Sequence, residues 1–255
     1  MMRSVLKGVT GAFLAGAVMA GASAVSVAQE MKSSIPGTFS GNVSLTNEYY
    51  FRGISQTDDA PAIQGGFDYE VDLAKPVALY LGVWGSNVDF NEAAGVDGAT
   101  IEMDWYGGLR GKLGETGLGW DVGFIYYSYP GADSSLNYDF IEAQGALSYD
   151  FGVAAVTGSI NWSPDNFGAS GKAFYPKLAV DVPLAKTGVT LSGYVAKQFI
   201  EKEATFGSPD YLEWNIALGY TLAGFDLSLA YSDTDISPSV DGKAEAILFS
   251  VSKSF

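Results

Sequence analysis

The chain of 255 residues contains neither Cys nor His, and 32 of its residues are Gly. It can build no disulfide, thiolate nucleophile, Ser-His-Asp triad or imidazole metal cage, and a net charge of −15 lacks the basic footprint of a nucleic-acid binder. With 17% of residues charged, 47% hydrophobic and 14% aromatic, the composition fits neither a disordered chain nor an ordinary soluble enzyme.

Residues 1–28 have the three-part layout of a secretory signal peptide. Arg3 and Lys7 come first, an apolar run follows from Gly8 to Val27, and the small residues Ser26-Val27-Ala28 close it. Cleavage is expected after Ala28, with Ala24 as the alternative, and residues 29–38 then form a periplasmic lead. Beyond this segment no apolar run reaches the ~18 residues that a membrane-spanning helix needs.

From Phe39 the chain counts in twos. Phe39, Val43, Leu45, Tyr49 and Phe51 alternate with Ser40, Asn42, Ser44, Thr46 and Glu48, and Ile101, Met103, Trp105, Leu109 and Leu113 with Glu102, Asp104, Tyr106, Arg110 and Lys112. This is strand periodicity, and no amphipathic helix competes with it. The expected strands are 39–51, 62–73, 77–87, 100–113, 119–128, 138–149, 153–163, 172–182, 189–199, 211–222, 225–234 and 244–255. Their lengths match the ~9–11 residues of a tilted strand crossing a bilayer better than the ~5–6 of a soluble sandwich. Short links such as Ala74-Lys75-Pro76 and Ala223-Gly224 alternate with long ones such as Gly53–Pro61 and Val88–Ala99. That alternation describes an outer-membrane barrel with both termini in the periplasm.

Aromatic residues on the apolar parity sort to the two ends. Trp120, Tyr149, Tyr220, Phe225 and Phe255 fall near short turns, and Tyr49, Phe51, Trp162, Phe174, Phe199, Trp214 and Tyr231 near long loops. Two girdles of this kind suit two membrane interfaces. Lys197 breaks the pattern on the lipid parity, which calls for a loop-end position or a bulge, and Tyr80 and Trp84 break it on the inward parity. The fold class is therefore all-β: a transmembrane antiparallel β-barrel of about twelve strands over residues 39–255, in the bacterial outer membrane. The alternative is a soluble all-β protein with the sheet turned around, burying many charges.

Tyr49-Tyr50-Phe51-Arg52-Gly53-Ile54-Ser55-Gln56-Thr57 and Pro61 to Tyr69, with Gly82 to Phe90, Asp104-Trp105-Tyr106-Gly107-Gly108, Asn137 to Phe140 and Ser148 to Gly152, resemble the proteobacterial TorF-like porin family over about residues 39–168. The resemblance implies a porin-type outer-membrane barrel and brings no functional residues with it. The terminal Phe255 likewise resembles the signal by which bacterial barrels reach their assembly machinery, an expected partner beside outer-membrane lipid and lipopolysaccharide.

On the inward parity, Glu48, Arg52, Asp68, Asp104, Arg110, Glu142 and Lys177 are the pore-lining candidates, and all but Arg52 are expected near mid-height. Opposed carboxylate and guanidinium rows would set a transverse field and charge selectivity; as interior ion pairs they would instead plug the lumen. Eight strands are filled by their own side chains and about 16–18 leave a channel, so twelve leaves both outcomes open. An acidic lumen and acidic long loops (Asp58, Asp59, Asp89, Glu92, Asp97, Glu201, Glu203, Asp210, Asp241) favour cations or neutral solutes. The expected function is a diffusion channel for small solutes, and the alternative is a plugged structural or adhesive barrel acting through its loops. No catalytic site, cofactor or metal is expected, nor any nucleic-acid partner; the oligomeric state is left open.

Overall fold

The computed structural model describes residues 35–92, 94–237 and 245–255. The expected signal peptide, the lead up to residue 34 and Asp241 lie outside them. In chain order the strands are β1 (Thr38–Thr46), β2 (Tyr50–Phe51), β3 (Ile54–Ser55), β4 (Ala62–Ala74), β5 (Val77–Asn87), β6 (Ile101–Lys112), β7 (Gly119–Ser128), β8 (Phe140–Asp150), β9 (Ala155–Ser163), β10 (Ala173–Leu184), β11 (Val189–Ile200), β12 (Tyr211–Leu222), β13 (Phe225–Thr234) and β14 (Glu245–Ser254). Helix is limited to the single turn Glu203–Phe206 and two short 3-10 turns among the described residues. Twelve strands, β1 and β4–β14, form one closed antiparallel barrel in which β14 returns to pair with β1; β2 and β3 form a separate hairpin.

The dyad is what rolls the sheet. Along β12, Tyr211, Glu213, Asn215 and Ala217 are buried inside, while Leu212, Trp214, Ile216 and Leu218 are exposed outside. The same outward face carries Phe67 (66% exposed), Phe124 (62%) and Ile247 (69%) on other staves. A greasy belt this continuous is a lipid-facing surface, since water-soluble folds do not display apolar patches of that extent. The soluble alternative fails here, because the charged parity lies inside the closed sheet. Outside, Trp162, Phe174, Phe199 and Trp214 are exposed near the loop ends, as are Tyr149, Tyr220, Phe225 and Phe255 near the turn ends, with Trp120 and Tyr231 half-buried. Lys197 is near the loop end of β11 in unbroken register with β12, its Nζ 4.8 Å from the Phe199 ring centroid. It extends toward the interface along its aliphatic stem, with no bulge. The register shift that does occur lies in β4, between Asp72 and Ala74.

One strand departs from expectation by more than two residues. The first, expected over 39–51, leaves the wall after Thr46. Asn47 ends it: its N–H donates to the Phe249 carbonyl (3.1 Å), its Nδ2 to the Ile247 carbonyl (3.0 Å), and its Oδ1 accepts the Phe249 N–H (2.6 Å). By occupying β14 with a side chain, Asn47 turns the main chain inward. Tyr49 (2% exposed) and the half-buried Phe51 are consequently inside the barrel and not in the outer girdle.

The two faces predict opposite tolerance to charge. Leu218→Arg, on the outer face at mid-strand, is expected to lower the unfolding free energy by about 2–4 kcal/mol in urea titrations from lipid vesicles, whereas Ser250→Arg on the inner face costs markedly less.

Candidate functional site

The segment after Asn47 folds into the lumen as a braced hairpin. β2 and β3 pair through Tyr50 with Ser55 and Phe51 with Ile54. The Tyr49 carbonyl accepts the Gln56 N–H (2.7 Å) and the Tyr49 N–H donates to Thr57 Oγ1 (3.1 Å). Glu48 holds the root, its Oε1 accepting the Ser55 hydroxyl (2.6 Å) and the Asp59 N–H (3.2 Å). At the tip, Arg52 and Gly53 both have positive φ (51° and 76°). Gly is required at the second of these, because a side chain there would run into Thr234 and Glu213 on the wall.

The tip carries Arg52 across the lumen to the far wall. Its Nη2 lies 2.6 Å from Glu142 Oε2 on β8, and its Nη1 donates to Gln198 Oε1 on β11 at 3.0 Å. The guanidinium carbon is 4.2 Å from the Tyr175 ring centroid on β10 and 4.8 Å from that of Phe51. Tyr211 on β12 donates its hydroxyl to the Arg52 carbonyl (2.9 Å). Glu142 Oε2 also accepts from the Tyr127 hydroxyl (3.2 Å) and Asn161 Nδ2 (3.1 Å). Arg52 is 8% exposed, and Glu142 and Gln198 are 1%. A buried ion pair of this quality is held by its additional hydrogen bonds, which offset much of the cost of desolvating both charges.

Tyrosine hydroxyls satisfy the other lumenal carboxylates. Tyr175 and Tyr194 each donate to Glu213 at 2.5 Å, and Tyr49 and Tyr129 donate to Glu102 at 3.1 and 3.3 Å. Toward the turn side, Tyr80 donates to Asp121 (2.8 Å) and Tyr106 to Asp68 (2.6 Å). This places Tyr80, one of the two residues that broke the parity pattern. Gly108 and Gly123 make room for it, since a Cβ at either would come within 2.6 Å of its hydroxyl. Trp84, the other, meets Tyr49 edge-on at 5.5 Å between centroids. Above the hairpin, Phe90, Tyr129, Tyr138 and Phe167 from three long loops pack ring against ring, and the Asp89 N–H donates to the Gln56 carbonyl (2.8 Å).

The seven sequence candidates thus divide. Arg52 and Glu142 are joined directly, and Asp104 lies in the same upper layer, 1% exposed with Oδ1 lacking a hydrogen-bond partner. Glu48 is not a mid-height wall residue; it is the brace at the loop's root. Arg110 is also off mid-height, near the turn end of β6, where it pairs with Glu70 and lies over the Tyr80 ring (5.3 Å). Asp68 is central in β4, and Lys177 on β10 has its Nζ 5.4 Å from the Tyr194 ring centroid. The charges form two layers where opposed rows at one height were expected. Tyr127, Tyr175, Tyr194 and Gln198 also belong to the site though absent from the seven candidates, and their inward parity is the signal that marks them. Below the upper layer, Thr157, Ser159, Ala179, Ser192, Ser228 and Ser250 line the inner wall with small, partly exposed side chains.

Removing the carboxylate that holds Arg52 leaves a buried cation uncompensated. Glu142→Ala is expected to lower the unfolding free energy by about 3–5 kcal/mol in equilibrium urea titration of the reconstituted protein.

Solved structures share this architecture. The COG4313 outer membrane channel from Pseudomonas putida F1 superposes with a TM-score of 0.54 at 13% identity, covering 88% of this chain and 97% of its own. A KdgM porin superposes with a TM-score of 0.52 at 10% identity, covering 85% of this chain and 99% of its own. At such identities the likeness concerns the fold, a closed antiparallel barrel of outer-membrane type. A search of curated proteins gave no match. A family model spans residues 29–255, and the chain belongs to that family, described as a bacterial protein of unknown function (Gcw_chp).

Proposed function

We propose that the protein is a porin-like channel of the bacterial outer membrane, passing small cations or neutral solutes, with its termini in the periplasm and its long loops outside. The observation that carries this reading is the contrast between the two halves of the lumen. On β9–β11, β13 and β14 the turn-side half is lined by small, partly exposed side chains, and much of the loop-side half is filled by one hairpin inserted from a single connection. A barrel meant to be solid fills its interior from the wall itself, as eight-stranded barrels do. Here much of the filling belongs to a segment tied down by the Arg52 ion pair and a handful of hydrogen bonds, an arrangement suited to a constriction. The porin-type resemblance of residues 39–168 supports the same reading, as does the outer-membrane fold.

The sign of selectivity follows from the carboxylates. Glu102, Asp104, Glu142 and Glu213 line the upper layer against Arg52 and Lys177, and Asp68, Glu70 and Asp121 line the lower against Arg110. Tyrosine hydroxyls orient Glu102, Glu142, Glu213, Asp68 and Asp121, and the excess of acidic over basic groups supports a field that repels small anions.

The depth at which Arg52 is buried favours a second reading, a closed barrel that contacts partners through its acidic loops. Planar-bilayer recording separates the two. The channel reading expects discrete conductance steps in KCl and a cation-selective reversal potential in a salt gradient. Deletion of residues 50–55 is expected to raise the conductance. Absence of steps in both proteins, with liposome swelling no greater than in empty vesicles, favours the closed barrel; anion selectivity overturns the proposed preference.

A further inference from the structure

Arg52 occupies a seat that the wall builds without it. Glu142 Oε2 and Gln198 Oε1 stand on different strands and accept from different guanidinium nitrogens (2.6 and 3.0 Å), while Tyr175 lies under the guanidinium carbon at 4.2 Å. Glu142, Gln198 and Tyr175 are 1%, 1% and 5% exposed, and Tyr127 and Asn161 fix Glu142 by hydrogen bonds. A forked pair of acceptors over an aromatic face matches a planar, weakly hydrated cation far better than a compact metal ion. Among the described residues no carboxylates are grouped to hold a metal.

Withdrawing the hairpin would empty this seat. Glu142, Glu213, Glu102 and Asp104 would then face Lys177 alone in the upper layer, and Asp104 Oδ1 is already without a hydrogen-bond partner. A buried carboxylate stripped of its partner is strongly unfavourable, so the hairpin leaves readily only when another cation takes its place.

We infer that the Arg52 seat is a binding site for organic cations bearing a guanidinium group, which compete with Arg52 and for which the constriction yields. The binding half of this inference stands on the seat itself; the permeation half rests on the channel reading above. Anions lack donors for Glu142, and neutral sugars supply donors but no charge. The chain's own side chain thus acts as a tethered stand-in for the solute.

Agmatine is the probe. In Arg52→Ala, thermal unfolding of the detergent-solubilised protein is expected at a lower midpoint, and millimolar agmatine restores at least half of the loss, while NaCl or choline at equal ionic strength does not. Adding Glu142→Gln to Arg52→Ala abolishes the restoration. Agmatine acting no better than NaCl on Arg52→Ala overturns the site; if that variant fails to refold, Arg52→Gln is judged by the same criterion. In bilayers the wild type is expected to carry agmatine current, and a K⁺ current with no agmatine permeation or block overturns the solute assignment. A wild type with no K⁺ current at all defeats the channel reading, leaving the unfolding measurements to decide the seat.

Discussion

The barrel depends on the pairing of β1 with β14. Inside hydrocarbon every backbone N–H and C=O needs a partner within the protein, and a sheet satisfies this only by joining its two edges. The seam that does so is short. β1 matches β14 over five residue pairs, from Asn42 with Ser254 to Thr46 with Ser250, but matches β4 over nine. It is lengthened at one end by Gly41 and Phe255, which exchange two backbone hydrogen bonds of 2.9 Å, and at the other by the side chain of Asn47. Where strand pairing runs out, a terminal aromatic residue and an amide continue it.

Closure then creates a second problem, an interior rich in carboxylates and too wide for the wall alone to fill. Two solutions share the space. Tyrosines anchored to the wall donate to Asp121, Glu213 and Asp68, Tyr80 reaching over Gly108 and Gly123 to do so, while Tyr49 of the inserted segment donates to Glu102, so these acids are hydrogen-bonded without forming ion pairs. The inward hairpin fills the remaining upper space and brings Arg52 to Glu142. Rigidity is thereby obtained from the acids themselves, since each hydroxyl fixes the orientation of the carboxylate it reaches.

Most of the wall was legible in the sequence, because lipid on one face and water on the other impose a period of two that few other environments produce. Staves such as 77–87, 119–128, 211–222 and 225–234 coincide with the expected limits. The inward hairpin was not legible as such. Tyr49 and Phe51 continue the apolar parity of β1 although the chain has left the wall, since a hairpin packed between Trp84 and Tyr127 also wants alternating apolar residues. Alternation reports that one face meets something greasy, and does not tell lipid from an aromatic interior. The pairing of Arg52 with Glu142, 90 residues apart, depends on how far the hairpin reaches, which no local pattern encodes. Tyr80 and Trp84 were visible as exceptions to the rule, and each marks a place where the interior is filled by rings.

Asn47 stands where the constriction meets the seam. Because its amide and backbone hold β14 by three hydrogen bonds, the pivot for any swing of residues 48–61 lies just beyond a fixed point. Load from such a swing would be absorbed by a side-chain clasp before it reached the ladder between β1 and β14. Should the hairpin swing as the proposed channel requires, it would turn on a hinge post of its own, and the cylinder could stay zipped while its obstruction moved.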